Sequence, residues 1–564
     1  MSELLTALSV IFVVAGGLLL VANHYSLATV PFLILAGVIA GFFIDPPVLL
    51  ELAQWGIAFL VFVFGVELDL GSMRTLARDA EITTTVQVGV VGALGFAAGL
   101  GLGFDATNAL YFSVAAALSS TIVGAGLLQA EFRQNLVYGR LAHSVHFVQD
   151  LLAILLILVL SAETASADAV ASSLGYGVVL LAAAYVINVY LFDHLSALAE
   201  GSQELLMITA ISILIGFLAL TELVGISIVV GAFAAGLAIK RDFTRNLGML
   251  NGIESIKDFF VAVFFVSLGA LVFLGTPDLT VLAAALVLVF LTAVVKPAVT
   301  FVAFLREGYD ARTATLTSLS LDQTSEFALI MAIEAFIAGL IVPELFDAII
   351  LAAAVTMITA SYTRRNDERL YGLLSRAGLP RASHRKTDQR SAVEPGLSDH
   401  VIVVGYGRQG RRLVETCERR GIDYLVVEND PTMFESLEGE CRNYVFGDVM
   451  DRYTWEKAEA DGASLIVSTV DQRRVSDRIL SLETDADVIL RSRTADEAGD
   501  LLDRGALYVN VPDLLAADRL LEHVAGVTEE PGYRERLRGK HLEELDAFEE
   551  AGFSSMSEDT DPRS

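Results

Sequence analysis

The chain has 564 residues, 54% of them hydrophobic, a mean hydropathy of +0.58 and a formal net charge of −29. It is too apolar for a soluble enzyme and too long for one domain. The acidic balance, with 6 Lys among 39 basic residues, argues against nucleic acid as a partner and suits a cytoplasm very high in salt, where screening removes carboxylate repulsion.

Up to about Thr363 the chain is a series of apolar runs long enough to cross a bilayer. Hydropathy places about thirteen spans, near residues 4–22, 28–44, 48–66, 85–103, 106–130, 141–161, 169–192, 203–220, 224–239, 256–275, 279–304, 312–337 and 341–362. Basic residues follow the odd-numbered spans: Arg74 and Arg78; Arg133 and Arg140; Lys240, Arg241 and Arg245; Arg306 and Arg312; Arg364, Arg365 and Arg369. The even-numbered loops, such as 45–47, 104–108 and 161–168, hold no Lys or Arg. By the positive-inside rule the N-terminus is outside and the C-terminal domain is cytoplasmic, in a multi-pass protein of the cytoplasmic membrane surrounded by lipid. The start, Met1-Ser-Glu-Leu-Leu5, has no basic n-region, so the first run reads as a retained span.

Span 5 is interrupted by a polar patch, Leu118 to Gly124, that contains Ser119, Ser120 and Thr121. Span 6 carries Asp150 in mid-run; a carboxylate in hydrocarbon is costly unless hydrated, paired or protonated, and so marks a functional site. A broken helix beside a lone buried acid is the local signature of a secondary transporter. His146, one turn earlier on the same face, reads as a polar group lining a water-filled funnel, with pH sensing as a second reading.

Lys296 is the only basic residue deep inside any predicted span. It needs a counter-charge or helix carbonyls, which Pro297 frees upstream; a permanent pair with a carboxylate is the alternative. Span 12 has a second interruption, Leu319 to Phe327, with Asp322 and Glu326. Two polar-broken helices, one in each half, are the arrangement of inverted-repeat transporters. Glu326 or Asp322 would neutralise the positive half-helix ends and Lys296 the negative ones.

These residues carry a resemblance. Ala117 to Val123, Gln149-Asp150-Leu-Leu-Ala-Ile154, Gly231 to Leu237, Phe264 to Gly269, Glu326-Phe-Ala328 and, early on, Phe64-Gly-Val-Glu67-Leu-Asp69 together resemble the Kef-type branch of the cation:proton antiporter-2 family, in order along the whole membrane part. The resemblance implies a bundle of about thirteen helices with inverted repeats and two broken crossing helices. Asp150 would be the shared ion and proton site, with Gln149 where sodium/proton relatives have a second aspartate. Ser120 and Thr121 would line the site, and Lys296 would balance the crossing helices. Asp322 stands where the family has a small, Gly-rich approach to Glu326, which bears on stoichiometry and ion choice.

After a linker over 364–398, rich in Arg, Ser and Pro, His400 to Val404 reads as a buried strand. Gly405-Tyr406-Gly407-Arg408-Gln409-Gly410 follows, then a helical stretch, then a second strand ending at Glu428. Strand, Gly-x-Gly-x-x-Gly, helix and an acid about twenty residues on form a dinucleotide-binding fingerprint. The glycines admit a pyrophosphate at the helix N-terminus, and Glu428 would hold ribose hydroxyls, favouring NAD or an adenine nucleotide over NADP. With Glu428-Asn-Asp-Pro431, Phe446-Gly-Asp448 and Val488-Ile-Leu-Arg491, residues 399–521 resemble the TrkA-N, or RCK, domain of potassium transport systems. That implies an α/β Rossmann-like fold, Asp448 near the adenosine, Arg491 near phosphate, and NAD(H) or an adenine nucleotide as regulator. It also implies a homodimer through membrane and RCK domains. Residues 522–564 read as an acidic tail, part helical and disordered at its end. Cys417 and Cys441 fall in a reducing compartment, where a disulfide is not expected.

The leading expectation is a potassium/proton antiporter regulated by its nucleotide-binding domain, with 1–363 as the exchanger. A sodium/proton antiporter of the same fold is the alternative. A membrane-anchored NAD-dependent oxidoreductase ranks below both, because no substrate domain follows the Rossmann unit. A potassium channel is excluded by the absence of a Thr-Val-Gly-Tyr-Gly filter.

Overall fold

In hydrocarbon every backbone N–H and C=O of a lone apolar segment must be satisfied within that segment, which makes it a helix. The structure, a computed structural model, describes residues 2–25, 29–44, 46–68, 74–128, 136–160, 167–199, 202–241, 246–271, 278–376, 384–430, 433–530 and 532–550. Asp69, Arg133, Arg245, Pro431, the loop 161–166 and the end of the tail, 551–564, lie outside the described residues. The chain divides into two units, Met1–Asp388 and Gln389–Ser564.

The first unit is helical: α1 Ser2–His24, α2 Thr29–Ala40, α3 Pro46–Glu67, α4 Arg74–Gly101, α5 Ala106–Ala117, α6 Thr121–Leu127, α7 Val137–Leu160, α8 Ala167–Val186, α9 Phe192–Leu198, α10 Gln203–Val224, α11 Ile228–Leu237, α12 Leu247–Leu271, α13 Leu279–Phe290, α14 Lys296–Glu307, α15 Ala311–Leu319, α16 Glu326–Ile337, α17 Pro343–Arg365, α18 Asp367–Arg376 and α19 Arg385–Gln389. Widened π turns, Ile187–Leu191 and Leu291–Val295, join α8 to α9 and α13 to α14. Each predicted span is thus a helix or a helix pair. Among the described residues nine helices are long and apolar enough to cross a membrane, with Thr29–Ala40 and Ile228–Leu237 as shorter apolar ones. Boundaries differ most at α4, which starts at Arg74 and not near 85. A helix does not stop where hydropathy falls, and Ala80 and Glu81 favour its continuation.

Spans 4–6 (α4 to α7) pack together and against spans 11–13 (α13 to α17), while α1, α2, α3, α11 and α12 form a second group. The break lies in the middle span of each triad, between α5 and α6 and between α15 and α16. The second group is packed through glycines of the resemblance motifs. A Cβ on Gly269 would stand 2.1 Å from Ile34 O, and one on Gly236 2.2 Å from Phe62 O. Small residues let membrane helices approach this closely, so these motif positions serve packing.

Odd-numbered connections meet one another. Lys240 pairs with Asp193 at 2.7 Å and Lys257 with Glu67 at 2.8 Å, and Arg364 bonds the Tyr138 hydroxyl at 3.3 Å. Even-numbered ones meet likewise, with Asn108 Oδ1 accepting from Val342 N at 2.9 Å. The expected linker is partly helical, through α18 and α19.

The second unit holds β1 His400–Val404, α20 Arg408–Arg420, β2 Tyr424–Glu428, α21 Phe434–Glu440, β3 Tyr444–Phe446, α22 Arg452–Lys457, β4 Ala463–Ser468, α23 Arg473–Leu480, β5 Asp487–Arg491, α24 Ala495–Asp503, β6 Tyr508–Asn510, α25 Pro512–Glu529 and α26 Tyr533–Glu550. Every strand pair is parallel, in the order β3-β2-β1-β4-β5-β6. This is a doubly wound sheet whose order reverses at β1, where such folds bind nucleotides. The helix Pro512–Glu529 runs through residue 521, where the sequence reading ends the domain. The expected tail continues it as a helix pair, joined where His523 Nδ1 meets the Tyr533 hydroxyl at 2.9 Å.

Candidate functional site: an ion site at the crossing of two broken helices

Ending a helix inside hydrocarbon leaves carbonyls and amides that must find other partners. At the first break Leu118 turns extended, with φ −85° and ψ 152°. Gln149 Oε1 takes Ser119 N at 2.8 Å, Gln149 Nε2 donates to Gln87 Oε1 at 2.6 Å, and Gln87 Nε2 donates to Ala117 O at 2.8 Å. Side chains of α4 and α7 thus replace the missing helix bonds. At the second break Thr324 N donates to Thr356 Oγ1 at 3.1 Å, and Ser325 caps α16 by accepting from Phe327 N at 3.0 Å.

The breaks are tied to each other. Ser119 Oγ donates to Leu321 O at 2.9 Å and Gln323 Nε2 to Ser120 O at 3.0 Å. Lys296, fully buried, donates from Nζ to Leu118 O at 2.9 Å and to Gln323 O at 2.8 Å. It therefore serves one carbonyl in each break, and no carboxylate is within salt-bridge reach of it among the described residues. The π turn ending just before Lys296-Pro297 is the local accommodation of the proline. On the opposite polarity, Glu326 Oε1 accepts from Thr121 N at 3.1 Å and Ile122 N at 3.0 Å, at the positive end of α6.

Asp150 is fully buried on α7 and accepts from Thr121 Oγ1 at 2.7 Å through Oδ2. Thr121 thereby links Asp150 to Glu326. Asp150 Oδ1 and Glu326 Oε2 have no protein partner, so two carboxylate oxygens are available near one threonine. Ser120 Oγ accepts from Val123 N at 3.2 Å. Gln149 is spent on the break, and its amide holds α5 and α4. Asp322 is buried, its Oδ1 without a protein partner.

His146 departs from the funnel expectation. It is fully buried, neither ring nitrogen has a protein partner, and a Cβ on Gly124 would fall 2.3 Å from its Nε2. The ring is packed closely against α6. Gln87 is the site residue that sequence reasoning missed, whereas Ser119 and Gln323 fall inside the two breaks it located without their bonding roles. Gln87 lies in an ordinary-looking span, and only the three-dimensional register brings it to the break.

In the second unit Gly405 has φ +91°, a conformation open to glycine, and leads into the N-terminus of α20 at Arg408. Gly410 allows α20 to close on the turn, since a Cβ there would lie 2.0 Å from Gly405 O. A Cβ on Gly407 would meet nothing within 4 Å, so the face of the turn is open. Arg491 Nη1 donates to Gln409 Oε1 at 3.2 Å and Thr469 O at 3.3 Å, placing its guanidinium beside this turn. Glu428 accepts from Tyr406 N at 2.6 Å and, through its other oxygen, from Asn429 N and Asp430 N at 2.6 and 2.8 Å. Asp448 Oδ1 accepts from Met450 N at 2.9 Å. An open glycine turn on a helix N-terminus, with an acid at the end of β2, fits a nucleotide. Beneath it, burial together with bonds to Cys441 and Glu440 pushes the Tyr406 hydroxyl up, and burial pushes the Cys441 thiol up to about 11. Both stay neutral at physiological pH.

Residues 8–364 match the family described as sodium/hydrogen exchanger, transmembrane, and residues 401–512 match the TrkA-N domain. The chain is 25% identical over 558 residues to YbaL of Escherichia coli (strain K12), covering 92% of this chain and 97% of that one. It is 26% identical over 469 residues to the glutathione-regulated potassium-efflux system protein KefC of Salmonella typhimurium, covering 80% and 73%. Among solved structures, the sodium proton antiporter MjNhaP1 from Methanocaldococcus jannaschii aligns with a TM-score of 0.49 at 15% identity, over 66% of this chain and 98% of that one. The match over most of its length makes the chain a member of the transmembrane sodium/hydrogen exchanger family, a multi-pass transporter that carries a C-terminal TrkA-N domain.

Proposed function

We propose that the protein exchanges K⁺ for H⁺ across the cytoplasmic membrane, with the N-terminus outside and the TrkA-N domain in the cytoplasm. Asp150 is the group that the two ions occupy in turn. The observation that carries this reading is the crossing itself. One ammonium serves both negative helix ends, one carboxylate serves a positive end, and Asp150 is left beside them with one oxygen uncommitted. The helix-end charges are balanced by Lys296 and Glu326, which need not move, so the Asp150 carboxylate is free to have its charge answered by a proton or a cation. Burial favours the loaded over the bare carboxylate, which ties the two flows together. Rocking of the broken-helix bundle against α3, α11 and α12 would expose Asp150 to each side alternately.

Potassium as the cation rests on the resemblance and on the name of KefC; sodium is the competing cation. NAD(H) or an adenine nucleotide on the glycine turn regulates transport, and the protein works as a homodimer. Proteoliposome flux with K⁺ and Na⁺ at set pH gradients tests the reading. Wild type exchanges K⁺ for H⁺ in preference to Na⁺, and Asp150→Asn reduces exchange to the background of empty vesicles. An Asp150→Asn protein that exchanges at the wild-type rate refutes the site.

A further inference from the structure

Two turns beyond Glu326 on α16 stands another acid, Glu334. Its Oε1 accepts from Ser227 Oγ at 2.6 Å, and it lines a cavity of about 380 Å³ together with Tyr111, Ile157, Leu160, Ser227 and Met331. Ser227 also caps α11, taking Val229 N at 3.1 Å. The Glu334–Ser227 bond therefore joins the broken-helix bundle to the group of helices that includes α3, α11 and α12.

The cavity has a direction. Ile157 lies two turns beyond Asp150 on α7, and Met331 lies between Glu326 and Glu334 on α16. The helices that carry the crossing carboxylates thus run from the ion site to this mouth. The connections that meet there, 225–227 and 338–342, are even-numbered and hold no Lys or Arg. Among the described residues lining the cavity, Glu334 is the only charged one. A single carboxylate in a low-dielectric cleft concentrates cations at its mouth and repels anions. The Ser227 hydroxyl at 2.6 Å is a neutral oxygen of the kind that replaces hydration water around a monovalent cation.

We propose that Glu334, with Ser227 and Tyr111, forms an entry site for the transported monovalent cation at the mouth opposite the basic loops. The site rests on the antiporter reading above and deepens it. Because the same carboxylate oxygen holds Ser227 across the two helix groups, a cation that engages it competes with that bond, so arrival of the ion loosens a contact that rocking must break.

The test uses full-length protein in vesicles of uniform orientation, with the half-saturating K⁺ concentration measured from each face. Glu334→Gln raises that concentration about tenfold from the face of the even-numbered loops and leaves the other face as in wild type. Glu334→Asp, which keeps the charge, stays close to wild type on both faces. No shift on either face in Glu334→Gln, or an equal shift on both, overturns the entry site. So does a Glu334→Gln protein that carries no cation while Glu334→Asp carries it normally, since that places Glu334 in the transport step itself. A wild-type protein that exchanges no cation for protons refutes the antiporter reading, and this site with it. A failure confined to the Glu334 variants leaves Asp150 untouched.

Discussion

Replacing Lys296 by methionine removes the ammonium while nearly preserving the length of the side chain, and the structure sets the size of the effect. Nζ donates to Leu118 O at 2.9 Å and to Gln323 O at 2.8 Å; bonds to charged groups contribute roughly 1.5–3 kcal/mol each, and a buried carbonyl left alone costs about 1–3 kcal/mol. Against this, methionine is spared the desolvation of a buried cation, several kcal/mol by any account. The terms nearly cancel for the lysine but not for the carbonyls of Leu118 and Gln323, which stay behind in the methionine variant. Removing one partner of a buried charged arrangement costs about 3–5 kcal/mol, and the lower end applies because the partners here are dipoles and not ions. A domain of 150–250 residues shifts by roughly 2–4 °C per kcal/mol, a longer one by less, so Lys296→Met lowers the unfolding midpoint by roughly 5 °C. The assay is thermal denaturation of the detergent-solubilised full-length protein followed by size-exclusion fluorescence. A midpoint within about 1 °C of wild type would mean that the two helix ends are satisfied without Lys296, and the charge-balance argument fails. Lys296→Arg keeps the charge but cannot place one compact ammonium between two carbonyls, and it falls between the two.

The packing of His146 against α6 gives a second expectation. Gly124→Ala drives a methyl group to 2.3 Å from Nε2 and sharply lowers stability or transport, and His146→Ala in the same protein restores it; failure of the second change to rescue the first rules out that contact as the cause. In the nucleotide-binding unit, Gly410→Ala puts a Cβ 2.0 Å from Gly405 O and abolishes nucleotide binding measured calorimetrically on the full-length protein, while Asp150-dependent exchange persists without nucleotide control. Binding at wild-type affinity by that variant would show that the glycine turn does not hold the ligand.

What the sequence disclosed and what it withheld follow from one physical difference. Asp150, Lys296 and Glu326 stand out because an ionisable group in an apolar run has few bland explanations. The breaks at Ser119–Ser120 and Asp322–Ser325 stand out because polar residues there interrupt otherwise apolar runs. The same local coding makes the second unit legible, since strand, glycine turn and helix follow one another within a few dozen residues. Neutral polar residues give no such signal. Gln87 bonds Gln149 across 62 positions of sequence, and Gln323 bonds Ser120 across 203. Their roles depend on which helix faces which, a matter of register that hydropathy does not encode. Gln149 shows the consequence: its place beside Asp150 in the motif points to the ion, yet on a helix adjacent residues face different neighbours. Its amide turns to Ser119 and Gln87. His146, four residues from Asp150 and on its face, looks like a funnel residue until Gly124 is seen to close over the ring. A motif therefore locates the crossing but not the division of labour within it, because each polar side chain there must choose between holding the broken backbone and meeting the ion. Counting partners favours one division of that labour: Gln149, Gln87 and Ser119 have found theirs in the backbone and in one another, whereas Asp150 Oδ1, Glu326 Oε2 and Asp322 Oδ1 have not.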